Sequence, residues 1–133
     1  HIPWIYKHVH NVHHLSVNPS PWTSFSFHFF EAIGEGLVII PLAFLVPLHT
    51  YTLIFFGFSI FAINVYGHLG YEIAPKWFRQ SFLFELINTS VYHNLHHSKF
   101  KGNYGLYFRI WDRMMGTENK NYVEENLSFK IFS

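Results

Sequence analysis

The sequence predicts an all-α, integral-membrane protein, a transmembrane helical hairpin joined to a cytoplasmic-side, histidine-rich, metal-binding helical cap. Three observations carry that expectation. Of 133 residues 50% are hydrophobic and only 13% charged, against about 25% charged in an ordinary soluble domain. From Glu35 to Glu72 no Asp, Glu, Lys or Arg intervenes, and the pattern His-x-x-His-His occurs twice. Nine Lys and Arg against eight Asp and Glu give a formal net charge of +1, which supplies no basic surface for nucleic acid and no acidic solvating tail. The absence of Cys excludes disulfides, thiolate zinc sites and iron–sulfur clusters, so any metal is held by nitrogen or oxygen.

Taken in order, residues 2–15 read as a helix started near Pro3, a residue suited to the first helical position. Residues 17–22, with Asn18-Pro19-Ser20-Pro21, read as a loop. The uncharged run is longer than the about 20 residues one crossing takes, and Pro47-Leu48-His49-Thr50 has the chemistry of a turn. The hairpin therefore occupies residues 33–67, with arms 33–46 and 51–67 of about 20 to 26 Å at 1.5 Å per residue. Pro41 is expected to kink the first arm. Residues 77–97 read as one helix, Lys101-Gly102-Asn103 as a turn, residues 104–115 as a helix stopped by Gly116, and residues 118–133 as a polar tail.

The two repeated segments, His10-Asn11-Val12-His13-His14 and His93-Asn94-Leu95-His96-His97, carry the chemistry. On a helix, positions i, i+3 and i+4 fall within about 100° of one another, so each segment crowds three imidazoles on one face. A lone His is ordinarily a core or surface residue. Two triple-His faces of the same spacing point instead to metal, for which neutral imidazole is the commonest ligand. Six imidazoles exceed what one tetrahedral zinc takes, so two metals are expected. No Asp or Glu lies within four residues of either segment, unlike the carboxylate-bridged di-iron bundles built on Glu-x-x-His. Such a nitrogen-rich site beside a membrane suggests oxygen activation.

His68, at the end of the second arm, is a further candidate ligand, and Asn64 one turn earlier is a weaker ligand or a donor that orients one. His28 and Glu31 share a helical face and form a candidate pair for orienting a ligand, with a plain structural hydrogen bond as the alternative. His49 in the hairpin turn is expected to be inert, and His8 points away from His10. The aromatic and Arg residues of 104–113 suit interfacial packing and anchoring. With an even number of crossings, both triple-His faces share one side with Lys7, Lys76, Arg79, Lys99, Lys101, Arg109 and Arg113, which the positive-inside rule makes cytoplasmic.

The segments 6–14, Asn18-Pro19-Ser20-Pro21-Trp22, Phe27-His28 with Glu31-Ala32, His68-Leu69-Gly70-Tyr71, 93–97, Asn103-Tyr104-Gly105, and Trp111-Asp112-Arg113 with Gly116-Thr117 together resemble the fatty acid hydroxylase/sterol desaturase superfamily, and within it the C-5 sterol desaturase (lathosterol oxidase) branch. The resemblance implies a multi-pass, non-haem di-iron, O2-dependent oxidoreductase of membrane lipids, in the endoplasmic reticulum of a eukaryote or the inner membrane of a bacterium. It also implies an external electron donor, a carrier of cytochrome b5 or ferredoxin type. The family's first motif would end at His1, which makes His1 a ligand by resemblance and the chain an N-terminally truncated fragment, inactive alone. Asn64 stands where some relatives have His. The resulting expectation is two iron ions held by His1, His10, His13, His14, His68, His93, His96 and His97, acting in sterol-like C-5 desaturation. The alternatives are a fatty-acyl or carotenoid hydroxylase and, from a different class, a histidine-rich membrane protein that binds or transports zinc without redox chemistry. Transport needs polar residues along a path through the membrane, and the two arms contain almost none.

Overall fold

In the computed structural model, which describes residues 2–119 and Tyr122, the chain begins with a run of helix in three pieces: α1 (Pro3–Ile5), a π-helical turn (Tyr6–His10) and α2 (Asn11–His14). Pro3 opens the run at a position that needs no N–H. The π turn lies immediately before the three imidazoles of the first motif; π-bulges recur at functional sites, where they re-aim side chains. A 3-10 turn follows at Pro21–Phe25. It is fixed by a capping box between Ser20 and Thr23 and by a hydroxyl contact from Ser16 to Thr23 at 2.9 Å.

Two long helices come next, α3 (Phe29–Leu45) and α4 (Thr50–Gly67), joined over residues 46–49. Each is capped by a histidine ring: His28 accepts from the Phe30 N–H and His49 from the Tyr51 N–H, both at 3.3 Å. Helix α3 runs through Pro41 without interruption. Both helices turn large apolar side chains outward, among them Phe44, Leu45, Phe55 and Phe58. By length and composition α4 is the one helix among the described residues able to cross a membrane. Helix α3 has 17 residues and carries Glu31 and Glu35 in its first half. Helix α4 packs on the Pro21–Phe25 turn and on the helix Ser90–Lys99, while α3 packs on the π turn.

The single helix expected over residues 77–97 is instead three: α5 (Lys76–Arg79), α6 (Phe82–Leu86) and α7 (Ser90–Lys99). The breaks have local causes. Ser81 and Thr89 leave helical geometry to cap the following helices, accepting from the Phe84 and Tyr92 N–H groups. Ile87 between them joins Phe108 in an isolated antiparallel bridge; there is no strand among the described residues. Helix α7 ends where Phe100, Gly102 and Asn103 take positive φ, and a Cβ on Gly102 would come within 2.6 Å of the Thr117 carbonyl oxygen.

The helix expected over residues 104–115 is likewise confined to α8 (Ile110–Met115), stopped by Gly116 at φ 66°. Asp112 explains why. Its carboxylate, buried, accepts from the Tyr104 and Gly105 N–H groups at 2.8 Å, from the Tyr92 hydroxyl at 2.9 Å and from the Thr117 hydroxyl at 2.6 Å. Those bonds draw residues 104–105 away from helix and back over α7. Arg109, expected at an interface, is instead 2% exposed, pairing with Glu85 and Glu118 and lying over the Tyr92 and Tyr122 rings. Of the expected polar tail, Glu118 and Tyr122 are therefore packed onto the fold, Tyr122 also bonding Thr89 at 2.9 Å; residues 120–121 and 123–133 lie outside the described residues.

Apolar side chains supply little of the interior. Val91, Tyr92, Leu95 and Tyr122 form a small core, and buried polar groups hold the rest. Asp112→Ala would leave four donors without an acceptor; each bond to a charged group contributes about 1.5–3 kcal/mol. We expect a loss of at least about 3 kcal/mol, read by thermal unfolding in detergent, with Asp112→Asn intermediate.

Candidate metal centre

The two histidine motifs, far apart in sequence, meet at the junction of α2, α4 and α7. Two groups form. His13, His68, His93 and His97 are all buried, with one ring nitrogen each lying within 4.8 Å of the others; His10, His14 and His96 form a second group by the same measure. The groups adjoin, since the His14 and His97 rings stack at 4.6 Å between centroids.

The tautomers follow from what the outer nitrogens touch. His13 Nδ1 donates to the Ser26 carbonyl at 3.0 Å, His68 Nδ1 to the Asn64 carbonyl at 2.7 Å, His97 Nδ1 to the Ser16 carbonyl at 3.1 Å and His96 Nδ1 to the Gly102 carbonyl at 2.8 Å. A carbonyl oxygen only accepts, so in each neutral ring the proton sits on Nδ1 and the lone pair on Nε2. Two of those lone pairs face each other directly, His13 and His68 at 3.0 Å between Nε2 atoms, and His93 Nε2 lies 3.1 Å from that of His68 and 3.2 Å from that of His97. Lone pairs facing one another at that distance repel, and a shared cation relieves the repulsion. An outer ring N–H bound to a carbonyl or carboxylate is the usual support of a metal-ligating histidine. The donor set fits a bound metal.

Glu31 is part of this support, with a different partner from the one expected. Its Oε1 lies 2.6 Å from His10 Nδ1, and His28 is spent on its helix cap. Asn64 contributes through its backbone, whose carbonyl orients His68, while its side-chain amide donates to the Ser24 carbonyl at 3.4 Å. His8 packs its ring against Trp4, and His49 caps α4 in an exposed position; neither joins the cluster. His1 lies outside the described residues. The carbonyls of Ser16, Ser26 and Gly102 were invisible to sequence reasoning because a backbone oxygen has no residue-type signature.

Burial, then repulsion among the imidazoles, holds the rings neutral. Desolvation depresses His68 and His96 to about 4, His97 to about 3 and His14 to about 2, with His13 also lowered and His93 well below the ordinary value. At neutral pH a metal therefore displaces no proton from them. In metal-free protein the unfolded chain binds protons below its ordinary imidazole pKa of about 6.5 and the folded chain does not. The associated stability is fully present above that pH and is lost as pH falls toward 4. Chelator-stripped protein should unfold at lower temperature at pH 5 than at pH 7.5, as checked by thermal melts.

A cavity of about 440 Å³ opens from the cluster between α3 and α4, where His10, His68 and His93 meet walls that include Val38, Ile39, Phe56 and Ile60.

A helical fold built around a buried polyhistidine cluster, with outward-facing apolar helices and an apolar cavity leading from it, defines a membrane-type histidine-box protein. The chain belongs to the fatty acid hydroxylase family, whose model matches residues 1–117. It is 34% identical over 115 residues to the lathosterol oxidase of Rattus norvegicus, covering 85% of this chain and 36% of that protein. It is 32% identical over 120 residues to the Delta(7)-sterol 5(6)-desaturase of Leptosphaeria maculans, covering 90% of this chain and 32% of that one. A cholesterol 25-hydroxylase-like protein of Danio rerio is 30% identical over 124 residues, covering 87% of this chain and 46% of its own length. The chain thus spans about a third of the two desaturase-type relatives. No solved structure matches it.

Proposed function

We propose that this chain forms the metal-binding core of an iron-dependent, O2-using membrane oxidoreductase that desaturates or hydroxylates a lipid, with sterol-like C-5 desaturation as the reaction. The observation that carries the reading is the convergence on His93 of the Nε2 atoms of His68 and His97, with His13 beside His68, in rings whose Nδ1 protons are committed to carbonyls at His13, His68 and His97. His13, His68, His93 and His97 would hold one iron and His10, His14 and His96 the other, with His1 a further ligand by resemblance. Bound there, iron supplies the means to reduce O2 with electrons from an external carrier of cytochrome b5 or ferredoxin type. The protein's own residues do the rest. Ser16, Ser26, Asn64 and Gly102 fix ring orientation through their carbonyls, and Glu31 fixes His10. The walls of the cavity keep water from the reacting carbon and admit an apolar substrate.

Helices α3 and α4 would form a hairpin in the bilayer, with the cluster on the cytoplasmic side. The family match and the sterol-acting relatives support a lipid substrate; the hydroxylase-like relative keeps hydroxylation as the second outcome. Metal analysis of the intact protein purified in detergent, followed by product analysis after addition of sterol, reductant and O2, tests the reading. Two irons per chain and a new ring double bond are expected. Zinc in place of iron, with no O2 consumption, would overturn it in favour of the non-redox alternative.

A further inference from the structure

Eight of the residues that line the cavity fall into two stripes. Phe56, Ile60 and Asn64 on α4 and His68 just past its end are each four residues from the next; on α3 they are Glu31, Glu35, Val38 and Ile39. At 1.5 Å per residue these stripes carry the cavity about 12–18 Å away from the imidazoles. Its polarity is graded along that length. Glu31 serves His10, and Glu35 lies one turn, about 6 Å, further along; beyond it Val38, Ile39, Phe56 and Ile60 are wholly apolar. Tyr107 lines the same cavity. The histidine cluster has no use for Glu35, which sets a carboxyl where the lining passes from polar groups to the apolar stretch of Val38, Ile39, Phe56 and Ile60.

We infer that Glu35, with Tyr107, binds a hydroxyl group of the substrate and turns away a carboxylate. The inference rests on the lipid-oxidase reading above and adds to it the side chains that recognise the polar end of the substrate. A hydroxyl donates to an ionised Glu35 and accepts from a protonated one, so an alcohol is held in either state. A fatty acid would bring its carboxylate against Glu35 with Glu31 one turn away, and like charges so placed disfavour ionisation of either. The apolar body of the alcohol then fills the stretch past Glu35.

The test is equilibrium binding to the iron-loaded intact protein in detergent, with two probe pairs: a 3-hydroxysterol against its 3-deoxy analogue, and a long-chain fatty alcohol against the fatty acid of equal length. A hydrogen bond to a charged group corresponds to about 10-fold or more in affinity, so the wild type should favour each alcohol by that factor. In Glu35→Leu the sterol preference should collapse to within about 2-fold with iron content unchanged, and Tyr107→Phe should be intermediate. Glu35→Gln keeps hydrogen bonding without the charge; it should hold the sterol preference and gain affinity for the fatty acid, which keeps the inference testable even if Glu35→Leu fails to fold. A wild-type preference near one, or a preference undiminished in Glu35→Leu, would overturn it. Preserved alcohol preference in a protein that oxidises no sterol would reject the proposed reaction and leave the binding role standing.

Discussion

His93→Ala in the intact protein is expected to abolish lipid oxidation and to remove the metal of the four-imidazole group, whereas His49→Ala is expected to do neither. His93 is buried with its Nε2 atom 3.1 Å from that of His68 and 3.2 Å from that of His97. Truncation therefore removes the donor between two others and opens a space beside Gly67, whose position lies against the His93 ring. The remaining three rings cannot close over that space, because carbonyls on separate segments hold their Nδ1 atoms. His49 is exposed and acts only as the cap of α4, a contribution of about 1 kcal/mol for caps in general. Metal content and product yield at matched expression decide the matter. Equal losses in the two variants would mean that the imidazole cluster is a packing feature rather than a metal site.

Much of this centre was legible in the sequence, for a physical reason. Imidazoles of one helix that gather at one point must share a helical face, so their spacing is written into the chain, and the two triple-His segments identify six of the seven clustered rings. His68 was recognisable by its place at the end of an apolar helix. The geometry around them was less legible. Residues 77–97 carry the composition of a single helix, but Ser81 and Thr89 use their hydroxyls as caps and the Ile87 bridge to Phe108 needs an extended backbone. The caps are local alternatives that composition does not decide, and the bridge is a tertiary contact. Arg109 read as an interfacial anchor and is buried, because it meets Glu118 and Glu85, nine and 24 residues away, and Asp112 is buried with it on partners five to 20 residues distant. The pairing of Glu31 with His10 across 21 residues could not be read from helical spacing, which offered His28 instead.

That pairing makes the second large effect predictable. His10 is the ring of the three-imidazole group whose outer nitrogen is held by a side chain, with Glu31 Oε1 at 2.6 Å; His96 in the same group leans on the Gly102 carbonyl. Substitution cannot delete a backbone carbonyl, so Asn64→Ala keeps the oxygen that orients His68 and should leave metal binding nearly unchanged. Glu31→Ala does delete the support of His10. The freed imidazole can rotate or take the other tautomer, and loss of such an outer partner generally costs about 10–100-fold in metal affinity or activity. The loss should fall on the three-imidazole group alone, so that competition with a graded chelator strips one metal from Glu31→Ala at a concentration that leaves the other in place. Glu31→Gln, which keeps an acceptor oxygen and gives up the charge, should lie between. Parallel loss of both metals in Glu31→Ala would show that the two groups bind as one unit, and unchanged retention of both would show that His10 needs no partner to hold its ring.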